Sequence, residues 1–498
     1  MAPLRVAIIG GGAAAAGVLQ GLARSRTPCE VTLFHPNEPF EAPLQSPIAD
    51  DALRPADYFL ALYRYLRQEH GFKFPPPKTH FGVSPRERST IGGARLWETS
   101  TLGGLTNFWG ASAIPFTQRE LGGWPISPAD LGEYYQYAAE QIGIAGTTDN
   151  LTHYFGRDYV TRAPVRPVPV AQRLSEELSP SAGGYSFLGG VNRLAVETRV
   201  DQDNRCIMCG ACMTGCGSGS IYSARADITR HVAEGRLQKI VVGSVRSVDL
   251  QRRAIRLDDE LDDHSFDRIF LAAGCIGSTE VMMRSFGLTE GLVMFDNVAY
   301  TFPFLYLGSK ITDTESKRYF GLSNTAIICA PQIAGTPSSF IQVYPWFDHL
   351  WRYFLPISFW PAFAPIAERL RGRLLIARLY LHSSLGTAYA FHTRDHSGIE
   401  IKSVGEASSL NLKHGLWPAI KAAVSQTSFV IPPMRPVRSV TTSHYAGSLP
   451  LGGALVSRDG RFAEGIYLCD AANFVDGPAL SPTLTIMANA ARVAHQAL

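Results

Sequence analysis

The strongest constraint on the fold lies at the start of the chain, in residues Val6–Ala23. This stretch, VAIIGGGAAAAGVLQGLA, joins a short apolar strand to an alanine-rich helix through glycines, and a second strand, EVTLF, follows. Gly10, Gly12 and Ala15 occupy the three positions of the pattern G-x-G-x-x-G/A. A turn of this kind brings backbone N–H groups and a helix N-terminus up to a pyrophosphate. The sequence therefore predicts a βαβ unit that binds a dinucleotide.

The residue expected to hold the ribose of that dinucleotide departs from the usual pattern. The second strand of such a unit normally ends in Asp or Glu. Here it ends at His35, with Glu38 three residues further on. A neutral histidine can hydrogen-bond a ribose hydroxyl. In the alternative interpretation His35 is a loop residue and Glu38 reaches back, and the sequence leaves both open.

The size and charge of the chain limit the classes of function. Its 498 residues exceed what one simple core accommodates, so we expect two or three domains. The net charge of +3, from 46 basic and 43 acidic residues, gives no reason to expect nucleic-acid binding. The opening residues, MAPLRVAIIGGG, carry no signal peptide, which predicts a cytoplasmic protein. Export together with a partner subunit that carries a signal is the alternative.

Four of the eight cysteines lie in one loop, residues 205–220, which reads RCIMCGACMTGCGSGS. Cys206, Cys209, Cys212 and Cys216 follow the spacing C-x2-C-x2-C-x3-C, which is that of bacterial ferredoxin clusters. Structural zinc usually takes two C-x2-C pairs set well apart, and the chain has no second pair. An iron–sulfur cluster is the leading hypothesis, and zinc and inert thiols are the alternatives.

Four stretches of the chain, taken in order, carry a resemblance to a known family. They are the N-terminal glycine turn; LGGLTNFWGASAIPF with GGWPISPADLGEYYQYAAEQIGI (102–116 and 122–144); FDRIFLAAGCIGSTEVMMRS (266–285); and TSHYAGSLPLG with GIYLCDAANFVDGPALSPTLTIMANAARVA (442–452 and 465–494). In these stretches the chain resembles the glucose–methanol–choline (GMC) flavin oxidoreductases. It is most similar to their branch of iron–sulfur-containing bacterial sugar dehydrogenases and pyranose oxidases.

The resemblance implies an α/β fold with two domains. The first would be a Rossmann-like FAD-binding domain, discontinuous in sequence, over 1–125, 190–295 and 435–498. The second would be a substrate domain built from an antiparallel sheet plus helices, over 126–189 and 296–434.

The resemblance also implies which residues hold FAD. In addition to Gly10, Gly12, Ala15 and His35, these residues are Gly103, Gly104, Thr106, Asn107, Ala273, Gly274, Asp470, Ala471 and Thr483. Thr106 and Asn107 would face the edge of the flavin ring. Phe108 stands where pyranose oxidases have a histidine bonded to the flavin. Because phenylalanine has no nucleophile, we expect FAD to be bound non-covalently.

In the GMC family a histidine takes the alcohol proton while hydride passes to N5 of the flavin, and a second residue, His or Asn, assists. By resemblance the histidine of H-x-x-G is His444, and the assisting position is Ser481. Serine can hold a substrate hydroxyl but has a shorter reach than asparagine. Asn473 or Tyr445 could replace it. The implied reaction oxidises a CH–OH group of a sugar, glycoside, polyol or apolar alcohol.

Sugar dehydrogenases of this family that feed a haem subunit hold a [3Fe–4S] cluster on a cysteine loop. Their three ligands correspond to Cys206, Cys212 and Cys216, and the additional Cys209 would allow [4Fe–4S]. The resemblance therefore implies a dehydrogenase that passes electrons to an external acceptor, either a protein or a small partner subunit. A redox-neutral epimerase, an oxygen-using oxidase and a non-catalytic electron-transfer or assembly subunit are the alternatives.

An aromatic stretch near the middle of the chain, Tyr344–Phe363, reads YPWFDHLWRYFLPISFWPAF and is followed by arginines as far as Arg378. Its charges and prolines argue against a membrane-spanning helix. Three interpretations stay open: ordinary core, a lid over an apolar substrate pocket, or peripheral membrane contact through residues 344–378.

Overall fold

The computed structural model describes residues 2–37, 86–93, 95–156, 159–208, 210, 212, 216, 218–258, 261–309, 311, 319–345, 366, 370, 372–394, 398–405, 415–439 and 441–498. The predictions that involve Glu38 and Cys209, and most of those on 344–378, lie outside these residues.

The described residues form eight α-helices and 24 strands. The helices are α1 (Ala13–Arg24), α2 (Pro128–Ile142), α3 (Asn150–Phe155), α4 (Pro169–Glu177), α5 (Ala224–Ala233), α6 (Gly274–Phe286), α7 (Leu416–Val424) and α8 (Thr483–Gln496). The first twelve strands are β1 (Leu4–Ile9), β2 (Cys29–His35), β3 (Arg86–Ser89), β4 (Arg95–Glu98), β5 (Ile144–Ala145), β6 (Ser181–Ala182), β7 (Tyr185–Val191), β8 (Leu194–Ala195), β9 (Lys239–Val242), β10 (Val245–Asp249), β11 (Ala254–Leu257) and β12 (Leu261–Ser265). The other twelve are β13 (Arg268–Leu271), β14 (Val293–Asp296), β15 (Val298–Tyr306), β16 (Thr325–Pro331), β17 (Ser339–Pro345), β18 (Leu374–Leu381), β19 (Thr387–Arg394), β20 (Gly398–Ser403), β21 (Phe429–Val430), β22 (Val437–Arg438), β23 (Arg461–Ala463) and β24 (Ile466–Leu468).

A six-stranded sheet forms the first half of the fold, with the strand order β23-β24-β13-β1-β2-β9. The five strands from β24 to β9 run parallel, and only β23 is antiparallel. Taken by sequence, the parallel strands follow the order 3-2-1-4-5 of a doubly wound dinucleotide-binding sheet. In such sheets a ligand binds beyond the carboxyl ends of the strands, where the order reverses. In this sheet that point lies between β1 and β13.

A larger antiparallel sheet forms the second half, with the order β21-β15-β18-β17-β16-β7-β6 and β22 paired to β15. Since successive side chains of a strand point to opposite faces, each strand contributes to two surfaces. One face packs against α4 and α7 as a separate apolar core that includes Leu375, Ala377, Leu379 and Leu381. The other face contributes Phe340 and Tyr380 to the larger core, which it shares with the parallel-sheet half.

These two sheets confirm the predicted fold class, an α/β dinucleotide-binding fold combined with an antiparallel-sheet unit carrying helices. The parallel sheet takes its strands from 4–35, 239–242, 268–271 and 461–468, so it is discontinuous in sequence. The antiparallel sheet extends beyond the predicted substrate domain at β22 and at the end of β7. The domain boundaries themselves stay a prediction. Within the described part of the chain, no helix is long and apolar enough to cross a membrane.

Candidate functional site

The N-terminal glycine turn lies at the carboxyl end of β1, between the strand and α1. Gly10 has φ +110°, and a Cβ placed there would lie 2.4 Å from the carbonyl oxygen of Ala272. Only glycine fits this position. Helix α1 begins after Gly12, and no side chain caps its first N–H groups. Those groups are therefore oriented to bind an anion such as a pyrophosphate. Ala15, the third residue of the motif, is fully buried within α1.

A second glycine loop lies directly against the first. Gly103 and Gly104 both have positive φ, and the Gly103 N–H donates to the Gly11 carbonyl over 2.7 Å. A Cβ on Gly104 would lie 3.0 Å from Cα of Gly12. Two backbone surfaces without side chains thus face each other above the end of the parallel sheet. This arrangement fits a dinucleotide that runs between two loops.

Thr106 and Asn107 lie in the 3-10 turn after these glycines, and their side chains bond to protein groups. Thr106 Oγ1 donates to the Gly103 carbonyl and accepts from the N–H of Ala224 at the start of α5. Asn107 donates to the Leu102 carbonyl and accepts from the hydroxyl of Ser223. Both side chains fix the shape of the glycine loop and the position of α5. The predicted contact of these side chains with a flavin edge stays a prediction.

His35 closes one side of the first glycine turn. It is 2% exposed at the end of β2, and a Cβ on Gly11 would lie 2.8 Å from its ring. Its Nδ1 lies 2.9 Å from the Asn37 carbonyl. Burial lowers the pKa of His35, so the ring is neutral at pH 7. The structure thus places His35 beside the turn as predicted, and its role toward a ribose stays a prediction.

Asp470 connects two segments that are nearly two hundred residues apart in sequence. Its carboxylate accepts from the Gly274 N–H (2.9 Å), the Ser278 hydroxyl (2.5 Å) and the Ala472 N–H (2.9 Å). Despite these donors, burial raises the pKa of Asp470 to about 6. The predicted residues Ala273, Gly274, Asp470 and Ala471 therefore form one cluster at the end of β13 and β24. Thr483 is the first residue of α8, where no side chain caps the helix.

His444 lies in a short loop that one buried carboxylate holds in place. Asp296, the last residue of β14, accepts four hydrogen bonds from this loop. They come from the Thr441 hydroxyl (2.6 Å), the Thr442 N–H (2.9 Å), the Thr442 hydroxyl (2.5 Å) and the N–H of His444 itself (3.1 Å). Ser443 within the loop has φ +62°, a left-handed conformation that is unfavourable for serine. The carboxylate of Asp296 therefore sets the backbone position of His444.

The residue after Asp296 anchors the segment that leads to Ser481. The Asn297 side-chain amide donates to the carbonyls of Leu381 (2.8 Å), Gly477 (3.2 Å) and Pro478 (2.9 Å). Ser481 follows three residues later and is 8% exposed. The pair Asp296–Asn297 thus positions both segments that carry the predicted catalytic residues. The sequence gives no indication of this pair, because an Asp-Asn dipeptide at the end of a strand carries no specific signal.

Asn473 and Tyr445, the two residues that could replace Ser481 as the assisting group, both form hydrogen bonds with other protein groups. Asn473 is fully buried; it donates to the Leu468 carbonyl and accepts from Asn489. The Tyr445 hydroxyl accepts from the Trp97 N–H over 2.7 Å. Both side chains stabilise the loops around the site, and Ser481 keeps the assisting position as a prediction.

The imidazole of His444 lies against the antiparallel sheet. Its ring stacks on Tyr380 of β18 with centroids 5.3 Å apart and an angle of 16°. Nδ1 is buried and has no hydrogen-bond partner among the described residues. Burial and the nearby charge of Arg378 lower the pKa of His444 to about 3. The histidine is thus neutral at pH 7, but it binds a proton more weakly than the sequence analysis expected.

Cys212 of the cysteine loop lies in an apolar cluster near residues that follow the second glycine loop in sequence. Cys212 is buried in a cluster with Ala111, and Trp109 packs against the same cluster. The Gly321 N–H donates to Cys212 Sγ over 3.3 Å, and Cys216 Sγ lies 3.1 Å from the Ser220 hydroxyl. Among the residues that the structure describes, no group of three or more His, Cys, Asp or Glu side chains could hold a metal ion. The described residues thus give no support to a cluster on Cys206, Cys212 and Cys216, and this ligand set stays a prediction. A four-cysteine site with Cys209 stays a prediction.

The described ends of the stretch 344–378 lie in the antiparallel sheet. Tyr344 is in β17, where its hydroxyl donates to Gln342 over 2.6 Å. Arg373 donates to the carbonyls of Tyr306 and Gly308. Arg378 lies in β18 beside His444. The predicted membrane contact stays a prediction, since most of the stretch is outside the described residues.

The fold and these loops define an α/β protein with a dinucleotide-type cradle and a partly buried loop histidine that stacks on the antiparallel sheet. Solved structures share this fold, and two of them illustrate the similarity. Pyridoxine 4-oxidase from Mesorbium loti matches with a TM-score of 0.60 and 13% identity over 99% of each chain. A fungal aryl-alcohol oxidase matches with a TM-score of 0.56 and 11% identity over 99% of this chain and 98% of its own. No family model and no curated protein sequence matches the chain.

Proposed function

We propose that this chain is an FAD-dependent oxidoreductase of the GMC type that oxidises the CH–OH group of an alcohol to a carbonyl. One observation carries the proposal: the segment of His444 is hydrogen-bonded to the turn that closes the nucleotide cradle. The Gly447 N–H donates to the Ala471 carbonyl (3.0 Å), and the Leu449 N–H donates to the Ala472 carbonyl (2.8 Å). The two proteins of the same fold are named as oxidases of pyridoxine and of aryl alcohols, which supports the same substrate class.

The side chains of this chain would handle the protons, and bound FAD would supply the acceptor for the hydride from the carbinol carbon. Nε2 of His444 accepts the hydroxyl proton. In the overall reaction C–H loses a hydride and O–H loses a proton, which leaves the carbonyl product. Ser481 holds the hydroxyl oxygen by a hydrogen bond. Asp296 fixes the position of His444 through the loop backbone, and Phe108 leaves the cofactor non-covalently bound.

We further propose that Cys206, Cys209, Cys212 and Cys216 bind an iron–sulfur cluster. The spacing of the four thiols supports it. So does the apolar cluster that Cys212 shares with Ala111 and against which Trp109 packs, since both residues follow the second glycine loop in sequence. When bound, such a cluster carries single electrons, which suits a protein acceptor or a small partner subunit. Molecular oxygen is the competing acceptor, because both structural relatives are named as oxidases. An epimerase that returns the hydride to its substrate is a further alternative.

Anaerobic purification tests these proposals. Flavin, iron and acid-labile sulfide are measured per chain, and candidate alcohols are added without oxygen while flavin absorbance is recorded. The proposed function is supported if each chain holds one flavin and an alcohol bleaches its absorbance. A chain without flavin, or with a flavin that no alcohol bleaches, contradicts the proposed function. Three or four irons with matching sulfide, lost in a Cys212→Ser variant but kept in Cys329→Ser, support the cluster. Flavin without iron, followed by stoichiometric peroxide on addition of air, favours the oxidase.

A further inference from the structure

β18 is an apolar strand with a single arginine. The residues on either side of Arg378, Ala377 and Leu379, point into the core beneath α4 and α7. Because side chains alternate along a strand, Arg378 and Tyr380 lie on the opposite face, which meets the segment of His444. Gln342 of β17 is directly opposite Arg378 in the sheet and shares this face. The fold therefore carries a positive charge to the side of the sheet where the proposed chemistry takes place.

The described residues supply Arg378 with no anion. Its Nε is buried and has no hydrogen-bond partner, and it forms no ion pair with their carboxylates. Its guanidinium carbon lies 5.2 Å from the centroid of the Tyr380 ring. Such a cation–π contact compensates only part of the cost of removing a guanidinium from water. Arg378 is partly buried, and an arginine removed from water is normally paired with an anion, so the described residues leave its charge without a partner.

Arg378 and His444 share one neighbour, the ring of Tyr380. The guanidinium lies by this ring, and the imidazole stacks on it at 5.3 Å. The charge of Arg378 is close enough to lower the pKa of His444. A small molecule with one end bound to Arg378 could therefore reach His444 with its other end, because both side chains lie next to the same ring.

We propose that Arg378 binds a carboxylate of the substrate, so that the alcohol oxidised at His444 is a hydroxy acid. The guanidinium presents parallel N–H donors that match the two oxygens of a carboxylate. Gln342, whose Oε1 accepts from the Tyr344 hydroxyl, has an amide nitrogen that can donate to the same group. A neutral sugar, polyol or apolar alcohol would leave the arginine unpaired. The reaction assigned to this hydroxy acid rests on the proposed function, whereas the binding of a carboxylate does not.

Calorimetry with two small probes tests the binding site without any turnover. Benzoate and benzamide have nearly the same shape, and only benzoate is charged. In the wild-type holoprotein we expect benzoate to bind about 10- to 150-fold more tightly, the range for hydrogen bonds to a charged group. Arg378→Met should reduce this ratio to near one, while Arg378→Lys should keep part of it. Arg373→Met is the matched control and should leave the ratio unchanged, since that guanidinium already bonds to backbone carbonyls.

Several outcomes would overturn the assignment. Equal binding of benzoate and benzamide by the wild type would do so, and this measurement needs no variant to fold. The assignment would also be overturned if Arg378→Met still preferred benzoate to benzamide, or if the wild type bound phenyl phosphate and not benzoate. Anaerobic mixing with 4-(hydroxymethyl)benzoate and its amide separates the two proposals. Charge-selective binding without flavin reduction contradicts the proposed function alone. Reduction by both alcohols at equal affinity contradicts the hydroxy-acid site alone.

Discussion

Replacing Asp296 with asparagine should loosen the loop of His444 while preserving the shape of the site. Each carboxylate oxygen accepts from one backbone N–H and one hydroxyl: Oδ1 from His444 and Thr442, and Oδ2 from Thr442 and Thr441. Asparagine keeps only one of these oxygens. In either orientation of the amide, its NH2 group replaces one of the two oxygens and faces one backbone N–H and one hydroxyl. The hydroxyl can rotate to accept a hydrogen bond from the NH2 group, but the backbone N–H is left without an acceptor.

The size of the effect follows from that single unpaired donor. A buried donor without an acceptor costs about 1–3 kcal/mol, which is about 5- to 150-fold in the opening equilibrium of the loop. Burial raises the pKa of Asp296, so the neutral amide also avoids part of the cost of burying a charge. We therefore expect a local effect with little change in the melting temperature of the whole protein. Asp296→Ala removes both acceptor oxygens and all four hydrogen bonds, and should destabilise more, by about 3–5 kcal/mol.

Hydrogen exchange followed by mass spectrometry measures this directly on peptides that cover residues 441–446. Asp227→Asn is a matched control, because that buried carboxylate accepts from Tyr222 and pairs with Arg230 away from this loop. Exchange in 441–446 should accelerate in Asp296→Asn and stay at the wild-type rate in the control. If it is unchanged in Asp296→Asn, or rises equally across all peptides, the carboxylate does not hold the loop as argued.

Three further predictions concern the base and the cradle. His444→Gln should retain flavin but slow its anaerobic reduction by 4-(hydroxymethyl)benzoate about 10²- to 10⁴-fold, measured by stopped flow. Because burial and Arg378 lower the pKa of His444 to about 3, the wild-type rate with the neutral amide of this alcohol should be flat from about pH 5 to about pH 9. Arg378→Met should shift the acid limb of that profile to higher pH, since a positive charge that opposes protonation is lost. Gly10→Ala would place a Cβ 2.4 Å from the carbonyl oxygen of Ala272, so it should lower both flavin content and thermal stability. Gly12→Ala would place a Cβ at an ordinary contact distance of 3.8 Å, so it should lower flavin content alone. A thermal melt combined with flavin analysis distinguishes the two variants.

The sequence predicts those parts of the fold that depend on only a few consecutive residues. The strand, glycine turn and helix at 4–24 are local, and the turn requires glycine because β13 passes beside it at Ala272. The hydrogen bonds around Asp296 could not be predicted from consecutive residues. Its partners begin 145 residues further along the chain, and no spacing rule connects an aspartate at a strand end to threonines in a distant loop. Such contacts depend on the packing of the two sheets.

Arg378 shows a second way in which sequence reasoning misplaces a residue. Leu374–Leu381 is apolar apart from the arginine, so the alternation of its two faces is not visible in the sequence. The sequence therefore groups the arginine with its basic neighbours and does not show which of the strand's two faces it occupies. In the sheet, both faces of β18 are covered, one by helices and the other by the half of the fold that contains His444. A uniformly apolar strand thus conceals which of its residues face a site.

The position of Arg378 also bears on how His444 can act as a base. Among the described groups, its charge and burial are what hold the pKa of the histidine near 3, which favours a neutral ring but weakens its attraction for a proton. A carboxylate bound to Arg378 would offset the positive charge and so raise the pKa of His444 toward the working pH. The histidine would become a stronger base only when the proposed substrate is present. Charge recognition and proton removal would then be linked through one arginine, and a neutral alcohol would meet a weaker base as well as a poorer binding site.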